Sequence, residues 1–200
     1  IHPLLGKKLN TPSPTWECEL DPRALPYLAD HRLHDSMVFP GAAYVETALA
    51  ALNELYPNES YVIEDVKILK GLFLSENDLI TLQFTCDESD DSFKIYSSTD
   101  TSTYEWEVHA EGRFLKLSPR EPGKLDLEHL KSTLADEIDH AKIYSDFDDV
   151  GYQFGPCFKE VQKIWRKDGE SLAEIQVPDA ILENIDNYYF QPAVLDACFQ

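Results

Sequence analysis

A histidine and the N–H groups expected to be free at a helix start, both close to residue 31 in sequence, could together remove a proton from a carbon next to a carbonyl. His31 lies in a turn-rich segment, and Pro40 follows at the first position of an apolar, alanine-rich helix, where its missing N–H costs nothing. Phe39 has no side-chain oxygen to cap that helix, so we expect the N–H groups of Gly41 and Ala42 to stay free at the positive end of the helix dipole. A histidine base beside such donors is the minimum needed to remove a proton next to a carbonyl.

A candidate acid lies at the other end of the chain. The segment Asn187–Phe190 has a strand-like pattern, and Pro192 then begins a second apolar helix with Asp196 on its second turn. Gln200 follows four residues later on the same helix face and is placed to hydrogen-bond Asp196. An aspartate among apolar neighbours is either paired or kept protonated by desolvation, and a protonated aspartate is a general acid near neutral pH.

The first half of the chain predicts one helix gripped by an antiparallel sheet, the α+β arrangement called a hot-dog. Residues 14–20 alternate as a strand, the long helix runs from Pro40 to Tyr56, and strands follow from Tyr61 to Leu117. The alternation within Tyr104–Glu111 predicts that His109 lies on the charged face of its strand, at the surface. We expect His34 to point away from the site or to bind a backbone group.

The second half repeats this plan in outline. Ser118–Gly123 has the composition of a linker, and Leu125–Ala135 and Ala141–Asp149 are predicted as helical or loop pieces. Strands are predicted at Phe158–Arg166 and Ser171–Val177, with a turn at Lys167–Gly169 between them. Gln191–Val194 echoes Phe39–Ala42, since each proline leads into an apolar helix. The chain reaches one turn into this second helix, so we expect the second unit to be incomplete at Gln200 and the protein to continue past it.

Composition excludes several classes of function. The formal net charge of −20 argues against nucleic-acid binding, which requires a basic face. No apolar run is long enough to span a membrane, and the four cysteines are too widely spaced to predict a zinc site or a disulfide framework. We therefore expect a cytoplasmic protein with reduced thiols and no metal.

Three motifs in order resemble those of the dehydratase domains of modular polyketide synthases. The family pattern HxxxGxxxxP is matched from His31 to Pro40, a GYxxGPxF-type segment by Gly151–Phe158, and an LLDAxxQ-type segment by Val194–Gln200. The opening His2–Gly6 and the lead-in Leu28–His31 also match, so the resemblance covers essentially the whole chain.

The resemblance implies a double hot-dog fold of two tandem units. We expect residues 1–117 to form the N-terminal unit, 118–135 a linker, and 136–200 the truncated start of the C-terminal unit. His31 would then come from one unit and Asp196 from the other, so that the site exists only when both units pack together.

The implied reaction is loss of water from a 3-hydroxyacyl thioester carried on the phosphopantetheine arm of an acyl carrier protein, with no cofactor of the domain's own. The resemblance makes His31 and Asp196 the catalytic pair. It also implies a set of substrate-binding residues: Pro40, Gly41, Tyr152, Gly155, Pro156 and Gln200. Gly155 and Pro156 would form a turn that shapes the site wall, and Tyr152 is equally consistent with packing.

The chain departs from the family pattern at three positions. Asp35 stands where glycine is usual, Phe154 where tyrosine is common, and Gln191 where histidine is frequent. Because none of these carries the acid–base pair, they bear on substrate preference and turnover more than on the reaction class. The alternatives left open are a related double-bond isomerase, a cyclase, a product-template domain, or a degenerate scaffold domain.

The expected partners are the acyl carrier protein and neighbouring synthase domains, in a homodimeric assembly without nucleic acid or membrane. Carrier proteins of this kind are acidic, which conflicts with the chain's own negative charge unless the carrier is tethered in the same assembly. Contact would then be weak and local, and the cations available for it are Lys7, Lys8, Arg23 and Arg32.

Overall fold

The chain folds as one long helix wrapped by antiparallel sheet, with a second group of shorter elements beside it. The computed structural model describes residues 1–76, 79–100, 102–103, 105–117 and 123–200. The strands are β1 (Lys7–Lys8), β2 (Thr15–Leu20), β3 (His31–Leu33), β4 (Ser36–Val38), β5 (Ser60–Ile68), β6 (Phe73–Leu74), β7 (Ile80–Asp87), β8 (Ser92–Ser98), β9 (Glu107–Leu117), β10 (Asp136–Asp139), β11 (Tyr152–Phe154), β12 (Val161–Lys167) and β13 (Glu170–Ile175). The helices are α1 (Gly41–Leu55), α2 (Leu127–Thr133), α3 (His140–Asp149), α4 (Asp179–Leu182) and α5 (Pro192–Ala197).

Helix α1 is the central helix of the first half, as predicted, but it begins one residue late. Pro40 has extended backbone angles and precedes the helix, so the prediction that it occupies the first helical position is wrong by one residue. The reason is local, since the carbonyl of Pro40 already accepts the N–H of Ala43 at 3.0 Å, as a residue flanking a helix start does. Small alanine side chains let the surrounding sheet approach α1 closely, and even Glu46 is fully buried.

A six-stranded antiparallel sheet wraps this helix in the order β1-β2-β7-β8-β9-β5. Its buried side chains alternate with half-buried ones along β7, as expected for a sheet with one face on the core. Trp16 and Phe84 contact each other edge to face at 5.9 Å between ring centroids, and Phe84 stacks on Phe93 at 5.5 Å. These aromatic contacts form the core between sheet and helix.

A second sheet joins the two halves of the chain. It has the order β11-β3-β4-β6, so β11, from the predicted C-terminal unit, pairs with β3 of the N-terminal one. The register places Phe154 opposite His31 and Tyr152 opposite Leu33. The GYxxGPxF-type segment therefore lies directly beside the candidate base.

His109 is buried, so its predicted position at the surface is wrong. A bulge in the pairing of β8 with β9 aligns Ile95 with Ala110 and Tyr96 with Val108, which leaves His109 out of the alternation. Its side chain is 1% exposed, and its Nε2 lies 2.8 Å from Ser97 Oγ. The bulge reverses the face on which His109 lies, which the alternating sequence pattern does not reveal. Tyr104, at the start of that pattern, lies outside the described residues.

The segment before α5 is not a strand, contrary to the sequence-based expectation. A 3-10 turn at Ile185–Asn187 leads into an irregular stretch, in which the N–H groups of Tyr189 and Phe190 donate to Glu46 Oε1 at 2.7 Å and Oε2 at 2.8 Å. Because a buried carboxylate satisfies these N–H groups, the segment needs no neighbouring strand.

A small sheet, β10-β12-β13, completes the second half. The predicted turn at Lys167–Gly169 joins β12 to β13, and the two pieces predicted as helix or loop contain α2 and α3. Most of the predicted linker, residues 118–122, lies outside the described residues. In the described part of the chain no helix is both long and apolar enough to cross a bilayer.

Candidate active site

His31 is held in one orientation by a backbone hydrogen bond. It is the first residue of β3, and its Nδ1 lies 2.8 Å from the carbonyl oxygen of Val38. A carbonyl only accepts, so Nδ1 carries the proton and the lone pair of the neutral ring is on Nε2. The rings of Phe154 and Phe158 pack against the imidazole at 5.5 Å and 5.0 Å. The result is a buried imidazole with a free basic nitrogen.

Asp196 lies on α5, and the start of that helix is well defined. Pro192 occupies the first turn, and Gln191 Oε1 accepts the N–H groups of Ala193 at 2.6 Å and Val194 at 3.2 Å. This side-chain cap fixes where the helix begins and therefore which way Asp196 points. The carboxyl is 9% exposed, and burial raises its pKa, opposed by His31 and by the hydrogen bond from Gln200.

The two candidate catalytic groups face each other across a short gap. His31 Nε2 lies 3.9 Å from Asp196 Oδ1, which is too long for a hydrogen bond. Both groups therefore keep their reactive atoms free. His31 offers a basic nitrogen, and Asp196 offers a carboxyl group whose protonated form is favoured by burial. Together they can take a proton from one substrate atom and give a proton to the neighbouring one.

Gln200 orients Asp196, and its side chain is itself held by two further groups. Its Nε2 donates to Asp196 Oδ2 at 3.1 Å, as the spacing of four residues on a helix predicts. The same Nε2 donates to the carbonyl of Phe158 at 3.1 Å. Its Oε1 accepts the Tyr144 hydroxyl at 2.9 Å, and that hydroxyl accepts the Val161 N–H at 3.0 Å. The network ties α5 to α3 and to the start of β12.

Asp30, next to His31 in sequence, accepts two hydrogen bonds from the GYxxGPxF-type segment. Its carbonyl accepts the N–H of Gly155 at 2.7 Å, and its Oδ2 accepts the N–H of Cys157 at 2.9 Å. A Cβ on Gly155 would lie 2.2 Å from Asp30 Oδ1, so only glycine fits there. Pro156 then begins a 3-10 turn that ends at Phe158, which packs on His31.

Tyr152 lies further from the acid–base pair. Its ring stacks on Phe154 at 5.8 Å between centroids and meets Phe147 edge to face at 5.9 Å. These contacts agree with the packing alternative for Tyr152 and place it two residues along β11 from the ring that contacts His31.

The start of α1 has the character expected of a carbonyl-binding site. No side chain in the described part of the chain caps this helix, and the carbonyl of Val38, three residues before Gly41, is the group that holds His31. A Cβ on Gly41 would lie 2.8 Å from Cδ1 of Ile68, so any larger residue there would force the Ile68 side chain to move.

The three departures from the family pattern have local explanations. Asp35 adopts φ +64°, in the left-handed region that glycine favours, and Gln153 holds it by accepting its N–H at 2.6 Å and donating to Oδ1 at 2.9 Å. Phe154 is 7% exposed, so a ring without a hydroxyl suits its apolar surroundings. Gln191 caps α5.

The ring of His34 lies over Gly151, and the backbone N–H of His34 donates to the Gly151 carbonyl at 2.9 Å.

Several residues near the site carried no recognisable signal in the sequence. They are Glu46, Tyr144 and Glu160, whose roles depend on a contact with residues more than 100 positions away or on the packing of α3, α5 and β12. Asp30 lies in the matched lead-in Leu28–His31, but its bond to Cys157 joins residues 127 positions apart and was not predicted. Glu160 is fully buried beside the network that holds Asp196. Within the described ranges no cluster of His, Cys, Asp and Glu side chains has the grouping that a metal ion needs.

Comparison with known proteins gives a consistent result across the chain. The family "Polyketide synthase dehydratase domain" matches residues 2–99, and "Polyketide synthase dehydratase N-terminal domain" matches residues 122–200. Mycoketide-CoA synthase of Mycobacterium tuberculosis is 31% identical over 98% of this chain, which spans 5% of that protein's length.

Solved structures of similar sequence share the fold. The dehydratase domain from the CurF module of curacin polyketide synthase superposes with a TM-score of 0.90 at 28% identity, covering 99% of this chain and 74% of its own. The CurK dehydratase domain gives 0.90 at 29% identity, covering 100% of this chain and 73% of its own. Two further CurK structures, a histidine-to-phenylalanine and an aspartate-to-asparagine variant, are described as inactive mutants and each superpose with a TM-score of 0.88.

Proposed function

Because the chain belongs to the polyketide synthase dehydratase domain family, we propose that it removes water from a 3-hydroxyacyl thioester and yields a 2,3-enoyl thioester. The observation that carries this proposal is the pair formed by His31 Nε2 and Asp196 Oδ1, 3.9 Å apart with both reactive atoms free. The inactive CurK mutants support it, since they change one histidine and one aspartate, the residue types that meet here.

His31 acts as the base in the proposed reaction. Its Nε2 removes a proton from C2 of the acyl chain, while the Val38 carbonyl keeps the ring in the tautomer that leaves Nε2 unprotonated. The Gly41 N–H, at the uncapped start of α1, donates to the thioester oxygen and stabilises the negative charge that develops there.

Asp196 acts as the acid. Its protonated carboxyl donates to the C3 hydroxyl as the C–O bond breaks, and the hydroxyl leaves as water. Gln200 holds the other carboxyl oxygen, so that Oδ1 faces the substrate. Afterwards His31 carries one added proton and Asp196 lacks one, and the short gap between them allows that proton to return and restore the starting state.

The phosphopantetheine arm of an acyl carrier protein is the proposed carrier of the substrate, and no cofactor of the chain's own takes part in these steps. Of the cations expected to face the carrier, Arg23 is paired with Asp21, and Arg32 donates to the carbonyls of Ala29 and Asp35. Lys7 and Lys8 are exposed on β1, but the Lys8 ammonium lies over the Trp16 ring, 4.9 Å from its centroid, so Lys7 is the better candidate for contact with an acidic carrier. Neighbouring synthase domains and a homodimeric assembly are part of the same proposal, as is the division into units at residues 1–117, 118–135 and 136–200.

The test is mass spectrometry of a 3-hydroxyacyl carrier protein incubated with the full-length protein that contains this chain. Loss of one water, abolished by His31→Ala and by Asp196→Asn, is the expected result. A product with the double bond moved along the chain would favour an isomerase, a cyclised product a cyclase or product-template domain, and an unchanged substrate a degenerate scaffold domain.

A further inference from the structure

Glu160 is a buried carboxyl group that the proposed mechanism does not use. Its side chain is fully buried, and among the described residues neither carboxyl oxygen has a hydrogen-bond partner. A buried carboxylate without partners is strongly disfavoured, so such a group either finds a cation or stays protonated. Burial, and then the negative charge of Asp196, raises the pKa of Glu160 to about 7.

The backbone on either side of Glu160 is fixed to the groups that hold Asp196. Phe158, two residues earlier, accepts a hydrogen bond from Gln200 Nε2, which also donates to Asp196. Val161, the next residue, donates its N–H to the Tyr144 hydroxyl, which in turn donates to Gln200. The backbone of Glu160 is therefore held close to the groups that orient Asp196.

The other titratable groups around Glu160 carry no compensating charge. They come from three elements and are Tyr144 of α3, Cys157 of the 3-10 turn and Cys198 at the end of α5. The pKa of Tyr144 is raised to about 12, that of Cys157 to about 11 and that of Cys198 also upward, in each case mainly by burial. The ammonium of Lys159 lies over the Tyr144 ring, 5.6 Å from its centroid. The charge that raises the pKa of Glu160 is that of Asp196, which His31 of β3 faces at 3.9 Å on the other side.

We propose that Glu160 and Asp196 form a pair of buried carboxyl groups that retains one proton between them, with Glu160 as a positioning residue for that proton. The proposal rests on the function proposed above. Two neighbouring buried carboxylates cannot both ionise cheaply, so the last proton of the pair is lost at higher pH than Asp196 alone would lose its own. Glu160 thereby extends to higher pH the range over which the acid Asp196 is available.

The first experiment measures the pH dependence of kcat for dehydration in the full-length protein and in its Glu160→Gln variant. Glutamine keeps the shape of a protonated glutamate but cannot ionise, so the alkaline fall in kcat should begin about one pH unit lower or more. Glu174→Gln is the matched control, because it removes the same charge from an exposed position on β13 and should leave the profile unchanged. Identical profiles for the wild type and Glu160→Gln would overturn the proposal.

A second measurement does not depend on activity and so separates this inference from the proposed function. Carbon-13 NMR of the chain, labelled at the glutamate side-chain carboxyls, should show one resonance that titrates near pH 7, is missing in Glu160→Gln and moves to lower pH in Asp196→Asn. If every glutamate titrates near the ordinary pKa of 4.5, the carboxyl pair does not exist. If this resonance is present but the wild type releases no water, the proposed function fails and the pair stands.

Discussion

Glu46, in the middle of α1, accepts the backbone N–H of Phe190 at 2.8 Å, which ties the central helix to the segment leading into α5. The same carboxylate accepts the N–H of Tyr189 and lies 2.8 Å from His2 Nε2. Since His31 belongs to the first half of the chain and Asp196 to α5, this junction helps to set the distance between them.

Replacing Glu46 should therefore affect both stability and turnover. In Glu46→Gln an amide NH₂ replaces one of the accepting oxygens and faces a backbone donor, which should lower the free energy of unfolding by about 1–3 kcal/mol. Dehydration should slow as well, because α5 is less well held. Chemical denaturation and carrier-protein assays measure the two effects, with exposed Glu19→Gln as the control. A variant with wild-type stability would remove Glu46 from this role.

His31→Ala should reduce dehydration by about 100- to 10,000-fold, the usual contribution of a general base. The circular dichroism spectrum should stay unchanged, because the neighbouring strand pairing of β3 is made by backbone groups. His129→Ala is the control, since His129 is exposed on α2. Near-normal turnover of His31→Ala would mean that another group removes the C2 proton.

Asp196→Asn should separate the two halves of the reaction. Asparagine keeps the hydrogen bond from Gln200 but has no acidic proton for the C3 hydroxyl, so water loss should fall sharply while His31 still exchanges the C2 proton. Deuterium incorporation at C2, followed by mass spectrometry, checks this outcome. Asp168→Asn, in the exposed β12–β13 turn, is the control. Dehydration at the wild-type rate would show that Asp196 is not the acid.

The raised pKa of Glu160 also leads us to expect that the free energy of unfolding depends on pH. Its folded-state pKa of about 7 lies above the ordinary value of 4.5, so the folded chain binds the proton more tightly than the unfolded chain. The stability that this proton confers is fully present below about pH 4.5 and is lost as the pH rises to about 7, a change of about 3 kcal/mol. Urea unfolding at several pH values measures it. Glu160→Gln should flatten this part of the curve, and an unchanged slope would contradict the assignment.

Gly155→Ala tests the hydrogen-bonded contact between Asp30 and the GYxxGPxF-type segment. The new methyl group would lie 2.2 Å from Asp30 Oδ1, so Asp30 must move, and His31 is the next residue. We expect a loss of about 1–3 kcal/mol in the free energy of unfolding together with reduced turnover. Gly123→Ala is the control, because nothing lies within 4 Å of an added Cβ there. Equal melting temperatures for the two variants would show that the contact between Asp30 and this segment tolerates the methyl group.

Much of this protein follows from local sequence. The alternation in β7, the long alanine-rich α1 and the proline that begins α5 are local patterns, so their elements could be predicted without tertiary contacts. The spacing of Asp196 and Gln200 likewise fixes their hydrogen bond, because residues four apart share a helix face. The pattern of three motifs identified His31 and Asp196 as the candidate pair.

Only the tertiary structure decided how these groups meet and what surrounds them. The His31–Asp196 gap joins residues from opposite ends of the chain, and its length depends on the packing of α1, α5 and β11. The bulge that buries His109 arises in the same way, as does the burial of Glu160 without a hydrogen-bond partner among the described residues. Burial and pKa are properties of the assembled environment, because desolvation depends on every neighbour in space. A residue's type and its near neighbours in sequence do not determine them.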